Sequence, residues 1–294
     1  MSDPVRVLPS AVLALALVGS VSCGGSPTSP GPGGTITPPV TAVNTPPVVD
    51  GIAVSASRTE VETDVTLTAT VRDAETPVTQ LRYEWRADTG TFTGEGASVK
   101  WRAPRGATTP ADHTIRLTVT ETYGGSQQNV VNATSPVIRL HDSPKELGDL
   151  SLSFLGDFAN SSVSPSTCVR NFSDSCRGKA EEKGDIEFNR EHFVVTGSSL
   201  RLQNVTVAAN GMTANMSVAC RFTSRIIKCE PGSVGCSVGA VGTVAGDCRL
   251  TGVYEQQRWW LCTSNFDGAQ VPESMRARLD AIVTRLKSPT PAQN

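Results

Sequence analysis

The sequence predicts a mainly β chain with an α+β half: an antiparallel β-sandwich, then helices followed by antiparallel strands. Three observations predict it. Between residues 48 and 142 apolar side chains recur at every second position in short Thr- and Val-rich runs, separated by turn residues and without a helical period. From residue 143 the period changes to three and four and then returns to two, the helices-then-strands order of an α+β domain. Of the 8 cysteines, seven lie in that second half and the other is Cys23.

The chain opens on an apolar run, AVLALALV at 11–18, too short to cross a bilayer as a helix but of the length of a signal-peptide core. Gly19, Ser20, Val21 and Ser22 follow, then Cys23, then GGSPTSPGPGGTITPPV. A cysteine placed after small residues, at the end of such a core, resembles the lipobox of bacterial lipoproteins, although Ser20 stands where that family prefers Leu. The resemblance implies loss of residues 1–22, lipidation of Cys23 and attachment to the cell envelope, at the outer membrane or cell surface, with the periplasm as the alternative. An ordinary secretory signal cleaved near Ser22 is the competing reading. Residues 23–47 carry too little apolar surface to offset ordering entropy and are expected to form a mobile tether.

Strands are predicted at 52–57, 63–72, 78–86, 97–103 and 112–121, with a last one within 128–140. In 63–72, Val65, Leu67, Ala69 and Val71 share one face and Thr66, Thr68 and Thr70 the other. Leu81, Tyr83 and Trp85 align in the third strand, Val99 and Trp101 in the fourth, and Ile115, Leu117 and Val119 in the fifth. The stretches ATVRDAETPVTQLRYEW, SVKWRAP and HTIRLTVTE resemble PKD and related bacterial immunoglobulin-like domains over about residues 46–141. That resemblance implies a sandwich with Trp85 buried, used as a spacer or adhesion unit. It also makes Asp73, Glu75 and Asp88 calcium candidates, against the plainer reading of solvated turn carboxylates.

Ser143-Pro144 marks the joint to a second domain at 143–268. Leu147, Leu150, Phe154 and Phe158 recur at helical spacing in 145–160, and Ser143 with Glu146 makes a capping box ahead of them. Ser164-Pro165 starts a short helix to about Phe172, and 179–191 is a third helical piece. Strands follow at 192–197, 200–208, 212–224, 240–255 and 258–264, with a hairpin turn at Gln256-Gln257 and a Cys/Gly insertion at 225–239. This order, closing on GVYEQQRWWLCTSNF, resembles the NTF2-like (SnoaL-like) α+β cone, which implies helices across a curved sheet enclosing a pocket. Residues 269–288 read as an amphipathic helix and 289–294 as a tail.

A net charge of −2, no basic stripe along the chain and 5% aromatic residues exclude nucleic acid as a partner. No C-x₂₋₄-C pair suggests zinc, so disulfides are favoured over metal. Cys168 with Cys176 and Cys229 with Cys236 would close local loops, and Cys220 with Cys248 would bridge strands. No metal or cofactor is expected. Nucleophile elbow, P-loop, dinucleotide and HExxH patterns are absent. Of the 3 histidines, His113 sits in a predicted strand as a structural residue. If the cone is open, Asp157, Arg190, His192, Tyr254 and Trp260 are the residues placed to line it. The expected function is a non-catalytic exported, lipid-anchored protein that presents a binding domain to a protein or carbohydrate. The alternative is an NTF2-like enzyme or small-molecule binder on an immunoglobulin-like stalk.

Overall fold

The computed structural model describes residues 43–233 and 235–267, so the leader, Cys23 and the helix expected at 269–288 lie outside the described residues. Among the described residues, fourteen strands and three α-helices build two hydrophobic cores, mainly β with an α+β half.

The first core lies among β1 (Val48–Val54), β2 (Arg58–Glu60), β3 (Asp64–Arg72), β4 (Arg82–Arg86), β5 (Thr91–Thr93), β6 (Ser98–Arg102), β7 (Ala111–His113), β8 (Arg116–Tyr123), β9 (Gln127–Thr134) and β10 (Ile138–His141). They form sheets ordered β1-β3-β6-β5, β4-β8-β9 and β2-β10-β7, the last holding a parallel β2/β10 pair. The alternation of β3 buries Val65 and Leu67, and that of β8 buries Leu117 and Val119, as period two requires.

Several expectations are corrected here. The last predicted strand is two, because Ser135-Pro136 interrupts it and β10 leaves β9 to pair with β2 and β7. The fully buried indole is Trp101, not Trp85. Trp101 points between the sheets and donates to Thr89 O at 2.9 Å, whereas Trp85 is half-buried and donates to Gly96 O at 3.0 Å. The end of the tether is engaged too: Asn44 donates to buried Glu121 at 2.8 Å and the Thr45 hydroxyl to Glu75 at 2.8 Å. Thr76 and Asn129 complete the donors to Glu121, and the Thr76 bond is the main reason its carboxyl is held below the usual range. Asp73 accepts the backbone N–H groups of Glu75 and Thr76 at 2.9 and 2.7 Å, closing its own turn.

The second core lies between α1 (Ser143–Ala159), α2 (Pro165–Cys168), α3 (Gly178–His192) and one face of a four-stranded antiparallel meander. Its strands are β11 (Phe193–Val207), β12 (Thr213–Ile226), β13 (Val241–Glu255) and β14 (Arg258–Asp267), adjacent in chain order. The two strands expected at 192–208 are one, continuous through register shifts at Val195/Gly197 and Leu202/Asn204. Gly148 lets α1 approach β11: a Cβ there would sit 2.7 Å from Leu202 Cδ2. Gly178 does the same for α3, where a Cβ would lie 2.2 Å from the carbonyl oxygen of Cys262. Leu147, Phe154, Leu155, Phe172, Ile186, Val218, Phe222 and Leu250 fill the space between helices and sheet.

Disulfides join Cys176–Cys262, Cys220–Cys248 and Cys229–Cys236. The Cys168–Cys176 pairing is therefore corrected. Phe172 bridges to Leu261 and Ser173 N donates to Leu261 O at 2.8 Å, which carries the following residues alongside β14 and brings Cys176 to Cys262. Cys168 stays on the buried side of α2 as a free thiol.

Candidate functional site

The densest buried polar cluster lies where the two cores meet, and Ser143 is its centre. The sequence places Ser143 as the N-cap of α1, but Asp142 takes that position and accepts the Lys145 N–H at 3.2 Å. Asp142 N in turn donates to Glu146 at 3.2 Å, so the reciprocal box forms one residue earlier than expected. Ser143 is thereby released for other bonds. Its N–H donates to Glu60 at 2.9 Å, its hydroxyl donates to the same carboxylate at 2.7 Å, and that hydroxyl accepts the Trp259 indole N–H at 2.7 Å. Glu60 belongs to β2 and Trp259 to β14, so one side chain ties both halves of the protein.

A second chain of bonds runs beside it. Fully buried His141 meets Glu146 through Nδ1 at 2.9 Å and the Tyr254 hydroxyl through Nε2 at 2.9 Å. A carboxylate only accepts, so Nδ1 carries a proton, and Nε2 shares a hydrogen bond with the Tyr254 hydroxyl. Burial pushes the Glu146 carboxyl up, but the His141 bond and charge, with donors from Thr109 and Asp142, hold it below its ordinary value. Burial raises the Tyr254 phenol. Arg58 lies over the Tyr254 ring at 3.5 Å and also faces Trp259 at 5.4 Å. Its guanidinium donates to Gly211 O at 2.6 Å. Glu146–His141–Tyr254 has the connectivity of a proton relay, but Tyr254 is only 8% exposed and capped by Arg58. Its geometry locks the two halves together.

The residues expected to line a cone go to separate places. Asp157 and Arg190 come together, but through backbone: Arg190 donates to Asp157 O and Asn160 O at 3.0 Å each and to Val163 O, capping the C-terminal carbonyls of α1. The Asp157 carboxylate instead accepts from Arg170 at 2.6 Å. His192 is buried at the end of α3, stacked on Phe188 at 4.3 Å and bonded to Phe188 O and Glu230 at 2.9 and 2.7 Å. Tyr254 sits in the joint. Trp260 lies on the opposite face of β14 from Trp259, under Arg258 at 3.8 Å. A shallow cleft of about 460 Å³ lies elsewhere, beside the start of α3, lined by Val169, Asp174, Cys176, Arg177, Lys179 and Lys183 among others.

Sequence reasoning missed Arg58, Glu60 and the linking role of Ser143. The available signal was the run His141-Asp142-Ser143, a polar cluster at the very point where the periodicity changes. Among the described residues no group of three or more His, Cys, Asp or Glu is placed to hold a metal, and no helix is long and apolar enough to cross a membrane.

No protein-family model matches the chain, and no curated protein matches it. Among solved structures, a conserved protein from Planctomyces limnophilus is 14% identical, with a TM-score of 0.31, over 41% of this chain and 91% of that one. A protein from Novosphingobium aromaticivorans provisionally named a scytalone dehydratase is 14% identical, with a TM-score of 0.33, over 43% of this chain and 83% of that one.

Proposed function

We propose that this is an exported, lipid-anchored display protein without catalysis. In this reading the immunoglobulin-like (PKD-like) half is a spacer or adhesion unit, and the NTF2-like α+β half presents a binding surface at the cell envelope. The observation that carries it is the packing of the helix-covered side of the β11–β14 sheet. Helices α1–α3 cover it, apolar side chains fill it, and the polar residues that could have worked there are engaged elsewhere. The joint around Ser143 supports a display role, because it makes the spacer and the presented half move together. Three disulfides accord with an oxidising compartment.

The test pairs localisation with ligand response. Wild-type chain is expected in the membrane fraction and Cys23→Ala outside it, and a thermal-shift screen of small metabolites is expected to leave the melting temperature unchanged. A Cys23→Ala chain that stays with the membrane removes the anchor. A small molecule that stabilises the α+β half removes the non-catalytic display reading in favour of a ligand-binding or enzymatic one.

A further inference from the structure

We infer that the outward face of the β11–β14 sheet docks an acidic polysaccharide strand. This names the partner class of the display reading above and rests on it. Even-numbered residues of β12 point to the core and odd-numbered ones outward, so Arg221 and Arg225 share the outer face. Register places Arg201 of β11 opposite Ala219, and Arg249 of β13 opposite Ser217, on that same face. All four arginines are exposed. Among the described residues only Arg249 has an ion-pair partner, Asp267 at 3.2 Å. Asp247, another acid on this face, accepts from Gln203 at 3.1 Å, and Glu255 accepts from Ser173 and Ser175. With Arg258 and Glu255, which stand opposite each other at the turn end, five guanidinium groups against three carboxylates give this face a positive excess within a chain whose net charge is −2. No run of the sequence shows this stripe, because strand pairing assembles it from three segments.

Hydroxyls and amides flank the arginines, with Ala219 and Ala245 between them. Thr223 pairs with Thr243 at 2.9 Å, Thr251 with Thr263 at 2.7 Å, and Ser217 donates to Gln203 at 2.5 Å. Arg221 and Arg225 are four residues apart, about 13 Å at a strand's rise, so the stripe suits an extended polymer with spaced charges. A guanidinium fork matches a carboxylate in two-point fashion, and the flanking hydroxyls and amides match sugar hydroxyls. Other occupants fit less well. A second copy meeting this face in isologous fashion would set arginine stripes of like charge together. The chain's own residues 268–294 are net positive, with Arg276, Arg278, Arg285 and Lys287 against Glu273 and Asp280. A lipid surface calls for apolar side chains to insert, and single-stranded nucleic acid for aromatic platforms, and the centre of this face presents neither.

The experiment measures binding of the full chain, in detergent, to polygalacturonate, with neutral dextran and phosphatidylglycerol vesicles as comparisons. Polygalacturonate is expected to bind and dextran not. Affinity is expected to weaken as NaCl rises from about 50 to about 300 mM, since exposed charges are screened. The pair Arg201→Ala/Arg221→Ala is expected to weaken binding about tenfold or more. The pair Arg201→Lys/Arg221→Lys should recover only part of the loss, with unchanged thermal melting throughout. No binding, equal binding by the alanine pair, equal binding to dextran, or binding to the vesicles alone would each overturn the assignment. Fractionation of the Cys23→Ala chain decides the display reading separately, so the two can fail independently.

Discussion

Trp259 donates its indole N–H to the Ser143 hydroxyl at 2.7 Å, 116 positions earlier in the chain, and that hydroxyl donates onward to Glu60 at 2.7 Å. Strand β14, the first turn of α1 and strand β2 are held through a single oxygen. Ser143→Ala would leave a buried indole N–H without an acceptor and Glu60 short of a donor. The expected cost is about 2–3 kcal/mol, measured by urea unfolding followed through Trp fluorescence. A loss below about 0.5 kcal/mol, the level of an ordinary surface change, would mean that the joint does not depend on this bond.

The neighbouring Glu146–His141–Tyr254 chain predicts a pH signature. The Glu146 carboxyl is held below its ordinary value in the folded protein. It therefore contributes stability that is present above the unfolded carboxylate pKa and lost as pH falls through the lower folded one. Glu146→Gln is expected to melt earlier than wild type at pH 7, with the gap narrowing as the medium is acidified below the usual carboxylate range. Tyr254→Phe keeps the ring beneath Arg58 and removes only the hydroxyl, at about 1–2 kcal/mol. A gap for Glu146→Gln that stays constant from neutral to acid would show that the carboxylate form is not what His141 holds.

These bonds also mark where sequence reading stopped. Alternation located β3, whose Val65, Leu67 and Ala69 are buried, whereas the strand expected at 112–121 is two, β7 and β8, which break at Thr114-Ile115 and join different sheets. The repeat of Leu147, Phe154 and Phe158 located α1. Strands β2 and β5, three residues each, are too short to show a period and are defined by their partners, β10 and β6. Ser143 fits a cap by its neighbours in sequence, whereas its bonds are made to residues 83 and 116 positions away. Cys168 is the near partner that spacing offers Cys176, whereas the bond is made to Cys262. Local chemistry is legible, and contacts between residues far apart in the chain are not.

Glu182, on α3, lies against β14 and accepts a hydrogen bond from Ser264. Burial raises its carboxyl above the ordinary value despite that bond, and burial together with Glu181 raises the neighbouring Asp185. The sign is opposite to that of Glu146. A raised carboxyl favours the folded state at low pH, and that advantage fades as pH climbs from the unfolded pKa to the folded one. Glu182→Gln is expected to raise the melting temperature at pH 7 by about 2 °C, with no gain in acid where the carboxyl is already protonated. Calorimetry across pH reads this directly, and an equal gain at both ends would place the effect in packing instead of ionisation.

The β13–β14 hairpin turns on Gln256 and Gln257, both at positive φ, 51° and 61°. A two-residue turn with both central residues left-handed is the type I′ geometry that favours Asn-Gly, because a glutamine side chain is strained there. Gln256→Asn with Gln257→Gly is expected to stabilise the chain by about 1 kcal/mol, partly offset by the greater freedom of Gly when unfolded. Denaturant midpoints compare the pair. A loss would show that the glutamine side chains make compensating contacts worth more than the backbone strain.

Cys176–Cys262 joins positions 86 residues apart, so it closes the largest of the three disulfide loops. Loop-closure entropy then assigns it the largest share of disulfide stabilisation, about 4.6 kcal/mol, against about 3.6 for the Cys220–Cys248 loop. Cys176→Ser should destabilise more than Cys220→Ser. Cys168 makes a separate point. Burial pushes its thiol up, with Arg190, whose N–H donates to the sulfur at 3.3 Å, pulling the other way. A buried, protonated thiol is a poor nucleophile, so Cys168 should resist alkylation in the native chain and react on unfolding. Peptide mapping of unreduced protein should return a fragment linking Cys176 to Cys262. A fragment linking Cys168 to Cys176 would undo the placement of residues 172–176 alongside β14.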